Sequence, residues 1–124
     1  MARILVIEDE EDIRGLYKRL LKHAGHEVIE ASDGDVGISL YRAELPDLII
    51  TDIIMPGKEG IETIMELRKE FPNVKIIAIS GGGQVLSGSV CLQLAEKLGA
   101  AKTLAKPFGK EELLQAVSEV LGVQ

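Results

Sequence analysis

Aromatic residues are nearly missing from this chain, whose 124 residues include two Tyr, two Phe and no Trp. Its 46% hydrophobic content is therefore almost all Ile, Leu, Val and Ala, a mix that suits sheet strands covered by helices and not an aromatic-rich sandwich. Cysteine is scarce too. Cys91 stands alone, so no intramolecular disulfide can form, and a cytoplasmic setting fits best. No apolar run approaches the roughly 18 residues of a membrane span, and Met1-Ala2-Arg3 leads directly into a strand-like run without signal-peptide architecture. Basic residues are outnumbered 14 to 20, for a net charge of −6. Phosphate contacts need clustered Lys and Arg, so neither a nucleic-acid surface nor an anionic membrane is the expected partner. The length suits one domain over residues 1–124, burying roughly two-thirds of the surface of the unfolded chain.

What is present is a rhythm. Five short apolar runs recur: Ile4-Leu5-Val6-Ile7, Glu27-Val28-Ile29-Glu30, Leu48-Ile49-Ile50, Ile76-Ile77-Ala78-Ile79 and Thr103-Leu104-Ala105. Three are continuously hydrophobic, as central parallel strands buried on both faces must be, while the second alternates like an edge strand. Between them the apolar spacing changes to three and four. Ile13, Leu16, Tyr17, Leu20, Leu21 and Ala24 predict a first helix closed by Gly25, and Val36, Leu40 and Ala43 a second, ended by Pro46. Ile61, Ile64, Met65 and Phe71 predict a third, stopped by Pro72. Cys91, Leu94, Ala95 and Leu98 predict a fourth before Gly99, and Leu113, Leu114, Val117, Val120 and Leu121 a fifth. Cys91 reads as a small core residue of that fourth helix. Strict alternation gives an α/β (βα)5 chain with right-handed crossovers and a doubly wound parallel sheet in the order 2-1-3-4-5.

Ligands of such sheets bind beyond the carboxyl ends of the strands, at the switch point between strands 1 and 3. That edge is where the reactive residues fall. Strand 1 leads into Glu8-Asp9, strand 3 into Thr51-Asp52, strand 4 into Ser80, and strand 5 into Lys106-Pro107. Carboxylates gathered in one crevice resist joint ionisation, and a hard cation such as Mg²⁺ relieves the repulsion. Lys106 can pair with a carboxylate or a phosphoryl oxygen, and the Ser80 hydroxyl can donate to the same group. One carboxylate is then free to act as a phosphoryl acceptor.

These residues, with Asp52-Ile53-Ile54-Met55-Pro56, Gly60, Gly99-Ala100 and Lys106-Pro107-Phe108 in order, resemble the receiver domains of bacterial two-component response regulators from Ile4 to about Leu121. The resemblance implies a flavodoxin-like fold and a stand-alone, chemotaxis-regulator-like switch. Asp52 would accept a phosphoryl group from the phosphohistidine of a sensor histidine kinase or phosphotransfer protein. It also implies Mg²⁺ held by Asp9, Asp52 and the Ile54 backbone carbonyl, with Glu8 acting directly or through water. Lys106 and Ser80 would bind phosphoryl oxygens, the bond before Pro107 would be cis, and the face of the fourth helix, fifth strand and fifth helix would meet a downstream protein.

Three departures from that pattern bear on mechanism. Thr103 stands where the family usually has an aromatic switch residue. Ile54 offers nothing to orient a hydrolytic water, which predicts a long-lived phospho-Asp52. Gly81 to Gly88 is long and glycine-rich, and is expected to order when Ser80 is drawn to a phosphoryl group.

Other readings are weaker. Glu10, Glu11 and Asp12 suit a solvated helix start, one of them as cap. The stretch Gly83 to Ser89 lacks the lysine of a nucleotide-binding loop, and His23 with His26 supplies too few ligands for zinc. An Asp-nucleophile, Mg²⁺-dependent phosphohydrolase is the main alternative, but Ile54 occupies the place of its general acid–base. A flavin carrier would need a phosphate loop where this chain has five consecutive acids, Glu8 to Asp12.

Overall fold

A computed structural model describes residues 2–53, 60–80, 97 and 99–122. The strands are β1 (Arg3–Ile7), β2 (Glu27–Ala31), β3 (Leu48–Asp52), β4 (Ile76–Ser80) and β5 (Lys102–Ala105). Four helices are described: α1 (Glu11–His23), α2 (Gly34–Glu44), α3 (Gly60–Glu70) and the C-terminal α4 (Lys110–Leu121). The fourth helix expected around Cys91 and the Gly81–Gly88 loop lie outside the described residues, as does Ile54. All strand pairs are parallel and the order is β2-β1-β3-β4-β5, the flavodoxin-like doubly wound sheet.

Successive side chains of each central strand enter opposite cores. Leu5, Ile7, Ile49, Ile76 and Ala78 pack with Ile38, Tyr41, Ile64 and Leu67 of α2 and α3. Ile4, Val6, Leu48, Ile50, Ile77 and Ile79 pack with Tyr17, Leu21, Leu113 and Val117 of α1 and α4. Every residue of β3 and β4 is buried, which explains their unbroken apolar runs.

On the expected face of α1, Leu16 and Ala24 are exposed, and two further helical faces differ from the expectation. In α2 the buried residues are Gly34, Gly37, Ile38 and Tyr41, while Val36 and Ala43 are exposed and Leu40 is partly buried. In α3 they are Gly60, Thr63, Ile64 and Leu67; the expected Ile61 and Phe71 pack partly buried against the core, and only Met65 of the expected set points outward. Glycine is the cause in both. A side chain at Gly37 would meet Ile7 Cδ1 at 2.4 Å, and one at Gly60 would meet the Asp52 carbonyl oxygen at 2.0 Å. Each helix turns its glycine to the sheet for close approach, and a bare glycine is invisible to a hydrophobic count.

The helix ends follow local chemistry. Asp33 caps α2 by accepting from the Val36 N–H at 2.9 Å. Glu10 is the N-cap of α1 without a side-chain cap bond, and Glu11 and Asp12 occupy its first turn. Gly25 takes φ +96° just past its end, the left-handed conformation glycine tolerates.

The two glycine contacts differ in kind. The Gly37 contact is with a side chain, Ile7 Cδ1 at 2.4 Å and Cγ1 at 2.8 Å, whereas the Gly60 contact is with backbone, the Asp52 carbonyl at the end of β3, which yields less. Gly37→Ala also gains roughly 1 kcal/mol of helix propensity. Gly60→Ala is therefore expected to destabilise by about 1–3 kcal/mol in urea unfolding and Gly37→Ala by clearly less. Equal losses would contradict this account.

Candidate functional site

The register of β1 on β3 pairs Ile7 with Thr51. One residue further along both chains, Glu8 and Asp52 emerge side by side at the carboxyl edge. Glu8 is 1% exposed and Asp52 7%, while Asp9 is exposed. Oxygens from all three carboxyl groups lie within 4.8 Å of one another. Two full charges at that distance repel by about 3 kcal/mol at an effective dielectric near 20.

Among the described residues, Lys106 answers them from the end of β5. Lys106 follows β5, and its Nζ lies 3.3 Å from Asp52 Oδ2 and 3.6 Å from Glu8 Oε1. Its own amide donates to the Ser80 carbonyl at 2.8 Å, fixing the start of the connection. The Lys106–Pro107 peptide is cis, and Phe108 stacks on Tyr17 of α1 with ring centroids 5.9 Å apart. Asp52 Oδ1 accepts from the Ile53 N–H at 3.1 Å.

Glu8 is the strained member of the set. Its Oε2 accepts from the Glu10 N–H at 3.0 Å, but among the described residues its buried Oε1 has no hydrogen bond. Burial pushes its pKa up to about 8, with Asp52 and Asp9 adding to the rise and the Glu10 amide opposing it. Burial, and after it the charges of Glu8, Asp52 and Glu10, raise the Tyr17 phenol.

This donor set fits a hard divalent cation. Mg²⁺ prefers oxygen ligands and accepts one or two carboxylates plus waters, and Glu8 Oε1, which lacks a hydrogen bond among the described residues, sits in the acidic group that such an ion would neutralise. Of the residues singled out by sequence, the structure brings together Glu8, Asp9, Asp52 and Lys106. Ser80 is fully buried at the end of β4 on the same edge. Thr103 is half-buried within β5, paired with Ala78 and two residues short of that edge.

Sequence reasoning passed over Arg14, whose Nη1 donates to the Glu8 carbonyl at 2.8 Å. Its one signal was an arginine beside the apolar stripe of α1, a commonplace pattern. A second hollow, of about 440 Å³ between Ala2, His26, Asp47 and Lys75, lies at the opposite edge. Its polar groups serve the backbone: His26 Nδ1 accepts from the Ala2 N–H and Asp47 Oδ2 from the Arg3 N–H.

Fold and site together define a doubly wound α/β domain with an acidic, lysine-bearing pocket at its switch point. Residues 4–118 match the response regulator receiver domain, and the chain belongs to that family of two-component signalling domains. It is 34% identical over 119 residues to the chemotaxis protein CheY of Thermotoga maritima, covering 95% of this chain and 96% of that protein. It is 35% identical over 121 residues to a probable transcriptional regulator, ycf27, of Porphyridium aerugineum, covering 96% of this chain and 48% of that one. The chain thus spans about half the length of several curated relatives it matches. A receiver domain protein from Clostridium thermocellum superposes with a TM-score of 0.91 at 32% identity, covering 98% of this chain and 95% of that structure. No helix among the described residues is long and apolar enough to cross a membrane.

The raised pKa of Glu8 has a signed consequence. Between the unfolded value of 4.5 and about 8 the folded chain holds a proton that the unfolded chain has lost, so stability falls as pH rises through that window. In divalent-free buffer Glu8→Gln is expected to gain stability over the wild type as pH rises from 5 to 9. Parallel urea midpoints across that range would refute the assignment.

Proposed function

We propose that this domain is a phosphorylation-operated switch whose acceptor is Asp52. The observation that carries the reading is the convergence of Lys106 Nζ on Asp52 at 3.3 Å inside a pocket of three clustered carboxyl groups. Glu8, Asp9, Asp52 and the Ile54 carbonyl would hold Mg²⁺, which when bound neutralises charge on phosphoryl oxygens. The Ile54 part of that set lies outside the described residues.

Phosphoryl transfer needs positioning and charge neutralisation more than covalent help from the protein. An Asp52 oxygen bonds to phosphorus as the P–N bond to the donor imidazole breaks, and the departing nitrogen keeps the electron pair. The donor would be a sensor histidine kinase or a phosphotransfer protein. Lys106 then exchanges a carboxylate oxygen for a phosphoryl oxygen, and Ser80 offers its hydroxyl to the same group. Rearrangement at the ends of β4 and β5 would reach the face of β5, α4 and the fourth helix expected from sequence, where a downstream protein binds.

With Thr103 in place of an aromatic, that coupling proceeds without a swinging ring. With Ile54 two positions after the acceptor in the sequence, the phosphorylated state would be long-lived. The acidic balance of the chain supports no nucleic-acid contact by this domain, and the lone Cys91 supports a cytoplasmic setting. The domain drives only its own phosphorylation and dephosphorylation.

Intact mass after incubation with acetyl phosphate and Mg²⁺ tests the acceptor. One phosphoryl adduct is expected, dependent on Mg²⁺ and missing from Asp52→Asn. An adduct that persists in Asp52→Asn, or no adduct on the wild type with either acetyl phosphate or a phosphohistidine donor, would overturn the reading.

A further inference from the structure

The Glu8–Asp9 turn is gripped from two directions, and only one belongs to the sheet. The Glu8 N–H donates to the Ala31 carbonyl at the end of β2, at 3.0 Å. Its carbonyl accepts from Arg14 Nη1 of α1, at 2.8 Å. The same guanidinium places Nε 3.3 Å from Glu30 Oε1 on β2, and Lys18 Nζ, one turn along α1, reaches Glu30 Oε2 at 2.9 Å. These contacts, Lys18 first, lower the pKa of Glu30 below the ordinary carboxylate range. The Arg14 side chain is only 16% exposed. A planar fork with several donors suits this bridge, because it can satisfy a carbonyl and a carboxylate together.

We infer that Arg14 is a positioning residue for the cation site. By holding the Glu8 carbonyl it sets the plane of the Glu8–Asp9 peptide, and so the direction from which Asp9 meets Glu8 and Asp52. Glu30 and Lys18 brace it. The inference rests on the Mg²⁺ reading above, and it has a sign that separates it from simple electrostatics. A positive charge near an acidic pocket repels a dication, so charge alone predicts tighter Mg²⁺ binding when Arg14 is removed. Positioning predicts weaker binding, since loss of an outer-sphere contact that orients ligands typically costs 10–100-fold in metal affinity.

The test is calorimetric titration of Mg²⁺ into the wild-type protein, Arg14→Met and Arg14→Lys, with thermal midpoints in Mg²⁺-free buffer as a check on folding. Arg14→Met is expected to bind about tenfold more weakly. Arg14→Lys keeps the charge but cannot span both partners, so it too is expected to weaken binding, to a lesser degree. It decides the matter if Arg14→Met fails to fold. A purely structural role would lower the thermal midpoint and leave Mg²⁺ affinity unchanged. If the wild type binds Mg²⁺ while the folded variants bind it equally or more tightly, the role of Arg14 is overturned alone. A wild type that binds no Mg²⁺ overturns the metal reading and this assignment with it.

Discussion

The repulsion among three carboxyl groups at one sheet edge is the constraint around which this domain is arranged. Water would screen it at a surface, but Glu8 and Asp52 are withdrawn from water. Their separation is not free to relax, because each continues a strand whose side chains are buried in two cores. Register brings them together: with Ile7 beside Thr51, the next residues must be neighbours. The apolar runs of β1 and β3 hold the acidic pair in place, and the closely packed interior denies it room to spread.

Several neighbouring features answer this constraint. Lys106 crosses from the end of β5 to face both Asp52 and Glu8. The Glu10 amide takes one Glu8 oxygen, and the Ile53 amide takes one of Asp52. Gly60 lets the start of α3 press on the Asp52 carbonyl, with its own N–H bonded to the Ile53 carbonyl at 2.7 Å. These contacts give Glu8 Oε1 an ion pair with Lys106 at 3.6 Å but, among the described residues, no hydrogen bond, so the described groups answer the acidic cluster only in part. Incomplete neutralisation is the physical basis for an affinity toward cations, and local instability at such a site is a usual companion of function.

Much of this could be read from the residues alone. Strand order and the gathering of Glu8, Asp9, Asp52, Ser80 and Lys106 at one edge follow from alternating runs and the placement of polar residues at strand ends. Those signals are discrete, and tertiary packing had little freedom to alter them. The buried faces of α2 and α3 were less legible. A helix is rotated about its axis by whichever contact is closest, and here Gly37 and Gly60 make those contacts without contributing hydrophobicity. Arg14 was hidden for another reason. Its partners are a main-chain carbonyl and Glu30, 16 positions away, so only the packing of α1 beside β2 reveals them.

A lysine, not an arginine, faces Asp52, and the proposed switch gives a reason. An arginine fork would bind a carboxylate through two parallel bonds and resist release. The ammonium of Lys106 is a point charge on a flexible stem, and its hydrogen bond to Asp52 is long at 3.3 Å. Such a group can trade one oxygen for another at small cost. Its backbone cannot follow freely, since the amide is tied to Ser80 and the next aromatic residue is stacked on Tyr17. Under the proposed switch, the side chain senses charge at Asp52 while its main chain stays joined to β4, whose own last residue, Ser80, answers to the same charge. The two strand ends then move together or not at all, and a signal can leave the pocket along β5 without an aromatic ring at Thr103.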